Sequence, residues 1–484
     1  MKNFYTNCIT LGNRILYRGY EDGDRVQEQI PYKPSLFIAD KSKNKSKFRT
    51  LDGKVVDRIE FGDIEEARDF VRKYQEVDNF LIYGNTNYHY CYLSDRFRKQ
   101  QIDYDFDSLK ILFLDIETSY TNGFPDPQTA QEPVIAITFR LKDHYFVFGT
   151  KDYIQANNVH YFKCENEKEL LTKFIQQWEE CDPDIISGWN IEEFDIPYLI
   201  NRISKVLSDK HSVRLSPWRK LRTRKVKLMG REYDNFELCG ISTLDYIQMY
   251  KKFIGSAENY KLNTIASMEL GEGKIQHEGL AELYEADHQK FIEYNIKDVE
   301  LVHRLDKKMK MISMICAIAY DAKVNFIDVF AQVRLWDTII YNYFREKYLV
   351  LPQKERHDKE TRYAGAYVKD PQIGLHDWVV SFDLDSLYPH LIAQFNISPE
   401  MLVPEAFQDV TVDKLLKREY NLEYLKQNSW TLAANGHHFK TEKQGFLPEI
   451  LMSMYNDRKV YKNKMLDSQN ELERIEQEIK RRGI

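Results

Sequence analysis

Cysteine is scarce and never paired along the chain. Cys8, Cys91, Cys164, Cys181, Cys239 and Cys316 are scattered and form no CxxC. That excludes the usual zinc spacings and a disulfide framework, and it fits a reducing compartment. No apolar run approaches membrane-spanning length. The N-terminus lacks the charged-then-apolar pattern of a signal peptide, so a cytoplasmic protein without membrane contact is expected. There are no repeats and no low-complexity linker. An overall basic excess is missing too: the net charge is −6. A nucleic-acid binder can still carry its positive charge locally.

What is present describes a globular chain of more than one domain. Its 484 residues exceed one ordinary core, with 43% hydrophobic and 30% charged residues. There are 32 tyrosines and 27 phenylalanines; aromatic faces stack on bases, although most serve as core. The strongest basic island lies between Lys210 and Arg231 and contains Arg214, Arg219, Lys220, Arg222, Arg224, Lys225 and Lys227, with no acid after Asp209. It reads either as a solvated loop or as a nucleic-acid contact.

The first hundred residues alternate short strand-like runs, such as Ser35 to Ala39, with turns, and one helical stretch spans Ile64 to Glu76. Alternation over Val134 to Phe148 predicts antiparallel strands. Glu165 to Glu180 has helical periodicity, and Asp184 to Asn190 reads as a buried strand and turn. Arg222 to Leu228 and Glu232 to Leu238 form arms of a projecting hairpin around Met229-Gly230-Arg231. Val299 to Tyr320 reads as a helix with Met309, Met311, Met314 and Ile315 packed inward. Trp378 to Phe382 reads as a second apolar strand, and Leu447 to Lys480 as a charged helix.

Leu112-Phe113-Leu114-Asp115-Ile116-Glu117-Thr118 places two acids two residues apart in an apolar run. On a strand, i and i+2 share a face, so Asp115 and Glu117 project together. Two neighbouring carboxylates repel unless a cation joins them, and hard oxygens suit Mg²⁺ or Mn²⁺. A solvated acidic strand is the plainer alternative. Asp195 precedes Pro197 at a helix start, where an acid is also an ordinary helix-entry residue. Tyr294 and Asp298 stand at i and i+4 and share a helix face, as a surface pair would.

Taken together, Asp115, Glu117, Asp195, Tyr294 and Asp298 resemble the D-E-D-D-tyrosine class of 3′→5′ exonucleases, with the motifs in that order. The residue types suit the chemistry. Phosphodiester hydrolysis needs an activated water and stabilisation of both the pentacoordinate charge and the leaving alkoxide. Two metal ions about 4 Å apart supply these. Four carboxylates can hold both ions, and Tyr294 is placed to orient the attacking water.

Val380-Ser381-Phe382-Asp383-Leu384-Asp385-Ser386-Leu387-Tyr388-Pro389, followed by Asn396-Ile397-Ser398-Pro399, resembles the first palm motif of the family B (α-like) DNA polymerases. That resemblance implies that Asp383 and the Leu384 carbonyl bind the catalytic metals. It further implies that Ser386, Leu387 and Tyr388 hold the incoming nucleotide, with Tyr388 excluding a 2′-hydroxyl. Asp385 departs from the small hydroxyl residue expected there. Tyr363-Ala364-Gly365-Ala366 looks like the family's template-contacting linker, which makes Tyr363 and Gly365 DNA contacts. Arg458 and Lys462, at i and i+4 on a fingers helix, suit a triphosphate. Arg222, Arg224 and Lys225 would belong to a hairpin that helps part primer from template.

The resemblance covers nearly the whole chain and has the character of the replicative polymerases of T-even-like bacteriophages, which places the protein in the host cytoplasm. The implied fold is mixed α+β and multidomain. It comprises an N-terminal β-rich domain (1–107 plus 311–355), an RNase H-like 3′→5′ exonuclease domain (108–310), a partial palm (356–446) and the first fingers helix (447–484). The implied cofactors are two Mg²⁺ or Mn²⁺ ions per site. The implied partners are primer-template DNA, single-stranded DNA, dNTP and a sliding clamp.

The second fingers helix (K-x-x-x-N-S-x-Y-G), the D-T-D-S turn and the thumb are not in the sequence. With Asp383 alone, two metals for nucleotidyl transfer cannot be held. The expectation is therefore a naturally split polymerase whose second chain carries D-T-D-S and the thumb, with a truncated fragment as the alternative. Two further readings stay open. One is a stand-alone 3′→5′ exonuclease. The other is a nucleic-acid-binding translational regulator, although no RNP-like motif is seen.

Overall fold

Two-residue turns set the first sheet. In the computed structural model, which describes residues 2–39, 46–119, 123, 125–228, 231–277, 279–353, 370–405, 410–420 and 422–482, strands β1 (Phe4–Leu11), β2 (Arg14–Glu21) and β3 (Asp24–Pro31) form an antiparallel meander. Asp22 and Gly23 adopt φ of 54° and 95°. That is the turn geometry Asp-Gly permits and which matches strand twist. A second small sheet joins β4 (Ser35–Ala39), β6 (Val56–Glu60) and β7 (Ile82–Tyr83). β5 (Arg49–Thr50) pairs in parallel with β16 (Leu349–Val350), far along the chain. Helix α1 (Ile64–Tyr74) starts where Asp63 accepts from the Glu66 N–H at 2.9 Å, and α2 (Tyr88–Arg96) follows.

The middle of the chain builds a six-stranded mixed sheet, as expected of an RNase H-like domain. It contains β8 (Ile111–Thr118), β9 (Val134–Leu141), β10 (His144–Gly149), β11 (Val159–Lys163), β12 (Ile185–Gly188) and β15 (Ser242–Asp245), in the order β11-β10-β9-β8-β12-β15. β8 is antiparallel to β9 and parallel to β12, so it lies inside the sheet. Leu112, Leu114 and Ile116 enter the core under α3 (Glu167–Cys181) and α4 (Asp195–Val206). Each such buried side chain contributes about 1.5–3 kcal/mol. Phe113, with the alternate phase, enters the core on the opposite side. Gly188 lets β12 lie close to β8, because a Cβ there would overlap the Leu114 carbonyl and the Ile191 side chain. The first sheet is tied to this one at Asp184, which accepts from Arg25 at 2.6 Å and from Tyr20 at 2.9 Å.

After the short α5 (Asp209–Ser212), β13 (Leu221–Leu228) and β14 (Arg231–Leu238) pair antiparallel as the sequence suggests. The turn at 229–230 and the side chains of 226–233 lie outside the described residues. α6 (Tyr246–Phe253), α7 (Leu262–Leu270) and α8 (Leu280–Ala286) lead to the long α9 (His288–Met309). The helix expected over 299–320 is broken in two. Lys310 takes a left-handed conformation (φ 56°), and Asp306 accepts the Ile312 N–H at 3.0 Å to cap α10 (Met311–Ala322). Met311 and Ile315 are buried, but Met314 is 37% exposed and does not pack inward. α11 (Gln332–Glu346) leads to β16. This unit spans 1–355.

A separate unit spans 356–484. It contains α12 (Leu387–Phe395), the short α13 (Val412–Leu416) and α14 (Leu422–Gln427), the pair β17 (Trp430–Leu432) and β18 (His438–Lys440), and the long α15 (Phe446–Arg482). The strand expected over 378–382 does not form. Trp378, Val379, Val380 and Phe382 are 97%, 76%, 70% and 92% exposed. An apolar run becomes a strand only beside a partner that takes up its backbone groups, and none lies beside it among the described residues. Among those residues no helix is long and apolar enough to cross a membrane, and all six cysteines are buried and unpaired.

Candidate active site

Three carboxylates converge where β8 meets α9. The oxygens of Asp115, Glu117 and Asp298 lie within 4.8 Å of one another. The period-2 register of β8 sends Asp115 and Glu117 to one side, and the helical spacing of α9 brings Tyr294, Asn295 and Asp298 opposite them. Asp195, at the first turn of α4, is the fourth acid. Its Oδ1 accepts the Ile116 N–H at 3.0 Å, between the two strand acids. Asn295 Nδ2 donates to Asp115 Oδ2 at 2.6 Å and fixes that carboxylate.

Burial and mutual repulsion raise these acids out of the ordinary carboxylate range. Asp115 is pushed well up by burial, then by Asp298, Asp195 and Glu117. Burial and Asp298 push Glu117 up to about 8. Burial pushes Asp195 up to about 7, against the Ile116 N–H. Burial also raises Asp298, opposed by Lys274. Asp298 Oδ1 is buried without a hydrogen-bond partner. An all-oxygen set with an orphaned buried oxygen and crowded negative charge fits a hard divalent cation. Asp115, Glu117, Asp195 and Asp298 are the residues that could hold it.

Besides Asn295, the sequence reading missed two participants. Lys274 Nζ donates to Asp298 Oδ2 at 2.5 Å and to the Tyr294 hydroxyl at 3.0 Å. Burial works against its charge, but Asp298, Tyr294 and Asp115 outweigh that and raise its pKa. The only sequence signal is a lysine closing Gly271-Glu272-Gly273, a loop pattern with no fixed meaning. Asp245 is the second. Its carboxylate accepts N–H groups of Asn190 (3.1 Å), Glu192 (3.0 Å) and Ile247 (3.0 Å), which shapes the turn before Asp195. An acid ending a strand gives no such hint.

The basic hairpin is partly engaged by the protein itself. Arg222 donates to the Thr10 carbonyl at 2.6 Å, and Arg224 meets Glu192 at 3.2 Å. Arg214 and Arg219 both pair with Glu179. Lys225 lies on β13 with Arg222 and Arg224. In the second unit Asp383 and Leu384 are exposed and irregular, Ser386 begins α12 with φ 52°, and Leu387 and Tyr388 are exposed on its first turn. Arg458 and Lys462 are exposed on α15. Asp385 accepts from Tyr455 at 3.0 Å and lies 3.9 Å from Arg458. The Tyr455 hydroxyl, then Arg458, holds the Asp385 carboxyl below its usual range. Tyr363 and Gly365 lie outside the described residues.

Comparison with known proteins fits this geometry. Residues 74–265 match DNA polymerase family B, exonuclease domain, which takes in Asp115, Glu117 and Asp195. Residues 328–481 match DNA polymerase family B, which takes in Asp383, Arg458 and Lys462. The chain is similar to the DNA-directed DNA polymerase of Escherichia phage RB69, 31% identical over 510 residues, and to that of Enterobacteria phage T4, 29% over 516. Each alignment covers 99% of this chain and 56% of the relative. The DNA polymerase delta catalytic subunit of Caenorhabditis elegans is 28% identical over 394 residues, covering 76% of this chain and 34% of that one. The chain thus spans little more than half the length of its phage relatives.

Proposed function

The chain belongs to DNA polymerase family B, and from that premise we propose that its first unit is a metal-dependent 3′→5′ exonuclease that trims the end of single-stranded DNA. The convergence of Asp115, Glu117 and Asp298 within 4.8 Å carries this reading. When bound, Mg²⁺ or Mn²⁺ supplies Lewis acidity toward a phosphodiester and lowers the pKa of water. The protein's own residues do the rest. Asp115, Glu117, Asp195 and Asp298 bind cations as carboxylates. Asn295 holds Asp115 in one orientation. The Tyr294 hydroxyl accepts from Lys274 and is held against Asp298, which would place it to orient a water or a phosphate oxygen beside the carboxylates. Lys274 adds a fixed positive charge beside Asp298, where negative charge develops on the phosphate.

Release of mononucleotides from a 5′-labelled single strand in Mg²⁺ tests the reading. Stepwise shortening that Asp115→Ala abolishes is expected. Internal cleavage, or full activity in EDTA, would sink it.

For the second unit, we propose half of a polymerase site. Asp383 and Leu384 would bind metal, Ser386, Leu387 and Tyr388 the sugar, and Arg458 and Lys462 the triphosphate. The second palm carboxylate would come from sequence outside these 484 residues, which would carry D-T-D-S and the thumb. One feature of α15 supports this. Tyr461, Met465, Leu472, Ile475 and Ile479 recur at spacings of four, seven, three and four, and all are 44–65% exposed. That is a seam for another helix. Primer extension by this chain with and without a polypeptide supplying D-T-D-S tests the idea. Synthesis by the chain alone, or none by the pair, would overturn it.

A further inference from the structure

Lys274 reaches the acids from a loop, and what holds that loop is two separate attachments. Helix α7 ends at Gly271, with φ 72°. Three residues on, the Lys274 N–H donates to Asn263 Oδ1 at 2.8 Å, and Gly273 packs against the same oxygen. Between them Glu272 turns the other way, toward α9. Its two oxygens accept from Arg304 Nη1 at 2.5 Å and Nη2 at 2.8 Å, a two-pronged pair, and Lys297 Nζ lies 3.3 Å away. Arg304 and then Lys297 hold the Glu272 carboxyl well down, at about 2. Lys297 immediately precedes Asp298, so the clamp grips the helix that carries Tyr294 and Asp298.

We propose that Glu272, through Arg304 and Lys297, is a positioning residue that fixes the loop 271–274 on α9 and so sets the reach of Lys274 to Asp298 and Tyr294. The proposal rests on the exonuclease reading above. Glu272, with its side chain 45% exposed, contributes little to global stability through such solvent-screened pairs. The geometry of the clamp matters more. A planar fork with two parallel hydrogen bonds fixes direction as well as distance. Asn263 holds the loop backbone from α7, Lys308 ties Glu269 at the end of α7 to α9, and the Glu272 pair adds an attachment to α9 within the loop itself. A shift of about 1 Å in a charged group at the reacting phosphate is costly, on the order of 10- to 100-fold.

The experiment is a double-mutant cycle on the full chain, with single-stranded DNA in saturating Mg²⁺. Glu272→Gln is expected to lower kcat at least tenfold, with KM for DNA and the thermal midpoint near those of the parent. In a Lys274→Met background the same change should have no further effect on kcat. Arg304→Met is the second variant and should reproduce Glu272→Gln, while Glu272→Asp should recover part of the loss. A parental kcat for both Glu272→Gln and Arg304→Met, or an equal loss with and without Lys274, would overturn the clamp. An Asp115→Ala protein that still degrades DNA would instead overturn the exonuclease reading.

Discussion

The ammonium of Lys274 lies 2.5 Å from Oδ2 of Asp298, while the other oxygen of Asp298 is buried with no partner. One oxygen of the carboxylate is thus neutralised by the protein, and the other is left without a donor in a cluster it shares with Asp115 and Glu117. Lys274→Met leaves Asp298 buried among like charges. Breaking a fully buried pair costs about 3–5 kcal/mol. Here Lys274 is 30% exposed, which reduces the loss to about 2 kcal/mol. Thermal unfolding in EDTA should register that loss, and Mg²⁺ should shrink it. A variant equally stable in both buffers would refute the pairing.

Asp115 anchors the cluster from inside the sheet. Asp115→Ala should reduce hydrolysis by at least about 10³-fold, since electrostatic stabilisation is usually the largest catalytic contribution. Binding of single-stranded DNA should change little, because the lost group is itself negative. Near-parental rates in a single-turnover assay would rule out the assignment.

The strand acids were legible because a strand's period leaves no freedom: fixing Asp115 fixes Glu117. Tyr294 and Asp298 were legible for the same reason on a helix. Lys274 was not, since a loop lysine has no period and its partners lie 20 and 24 residues away. Lys310 shows another limit. A left-handed residue that is not glycine ends α9 without a sequence mark, and only the cap by Asp306 reveals it. Trp378 to Phe382 has the composition of a strand, yet strand formation depends on a neighbour that composition cannot supply.

The raised acids give stability a pH dependence of known sign. Glu117 is pushed to about 8 and Asp195 to about 7, against about 4.3 and 3.9 in an unfolded chain. The folded state holds protons that the unfolded state has released. This contribution is therefore full below about pH 4 and is lost as pH rises through 7 and 8. Half-buried His89, at about 3, and His288 and His303, at about 4, act in the opposite sense, but only below about pH 7. Between pH 7 and 8.5 in EDTA the melting temperature should fall. Mg²⁺ should flatten most of the slope because it favours the ionised cluster. Asp245, at about 7 with its oxygens held by backbone N–H groups, leaves a residue. A flat or rising profile in EDTA would contradict the cluster's electrostatics.

Engagement of the hairpin cations limits what they give to DNA. Three free cations would contribute a salt slope of about 2 for a single strand. Arg222 is held by the Thr10 carbonyl and Arg224 by Glu192. Replacing Arg222, Arg224 and Lys225 by Gln should therefore flatten the plot of log affinity against log salt by less than that. A change of 2 or more would mean that these internal contacts open on binding.

The exposed seam on α15 gives the half-site proposal its sharpest test. Leu472 and Ile475, three residues apart, are 55% and 48% exposed. They lie distant in sequence from Arg458 and Lys462, so changing them leaves the triphosphate contacts intact. If a second helix covers the seam, charge at both positions desolvates badly against it. Leu472→Lys with Ile475→Lys should abolish primer extension by the chain mixed with a polypeptide supplying the second fingers helix and D-T-D-S. Release of mononucleotides by the first unit should stay at the parental rate. The doubly charged variant should also no longer co-elute with that polypeptide in size-exclusion chromatography. Undiminished extension by the charged variant would show that the seam takes no part in assembly. A parallel loss of exonuclease activity would mean that the change acts on folding rather than on association.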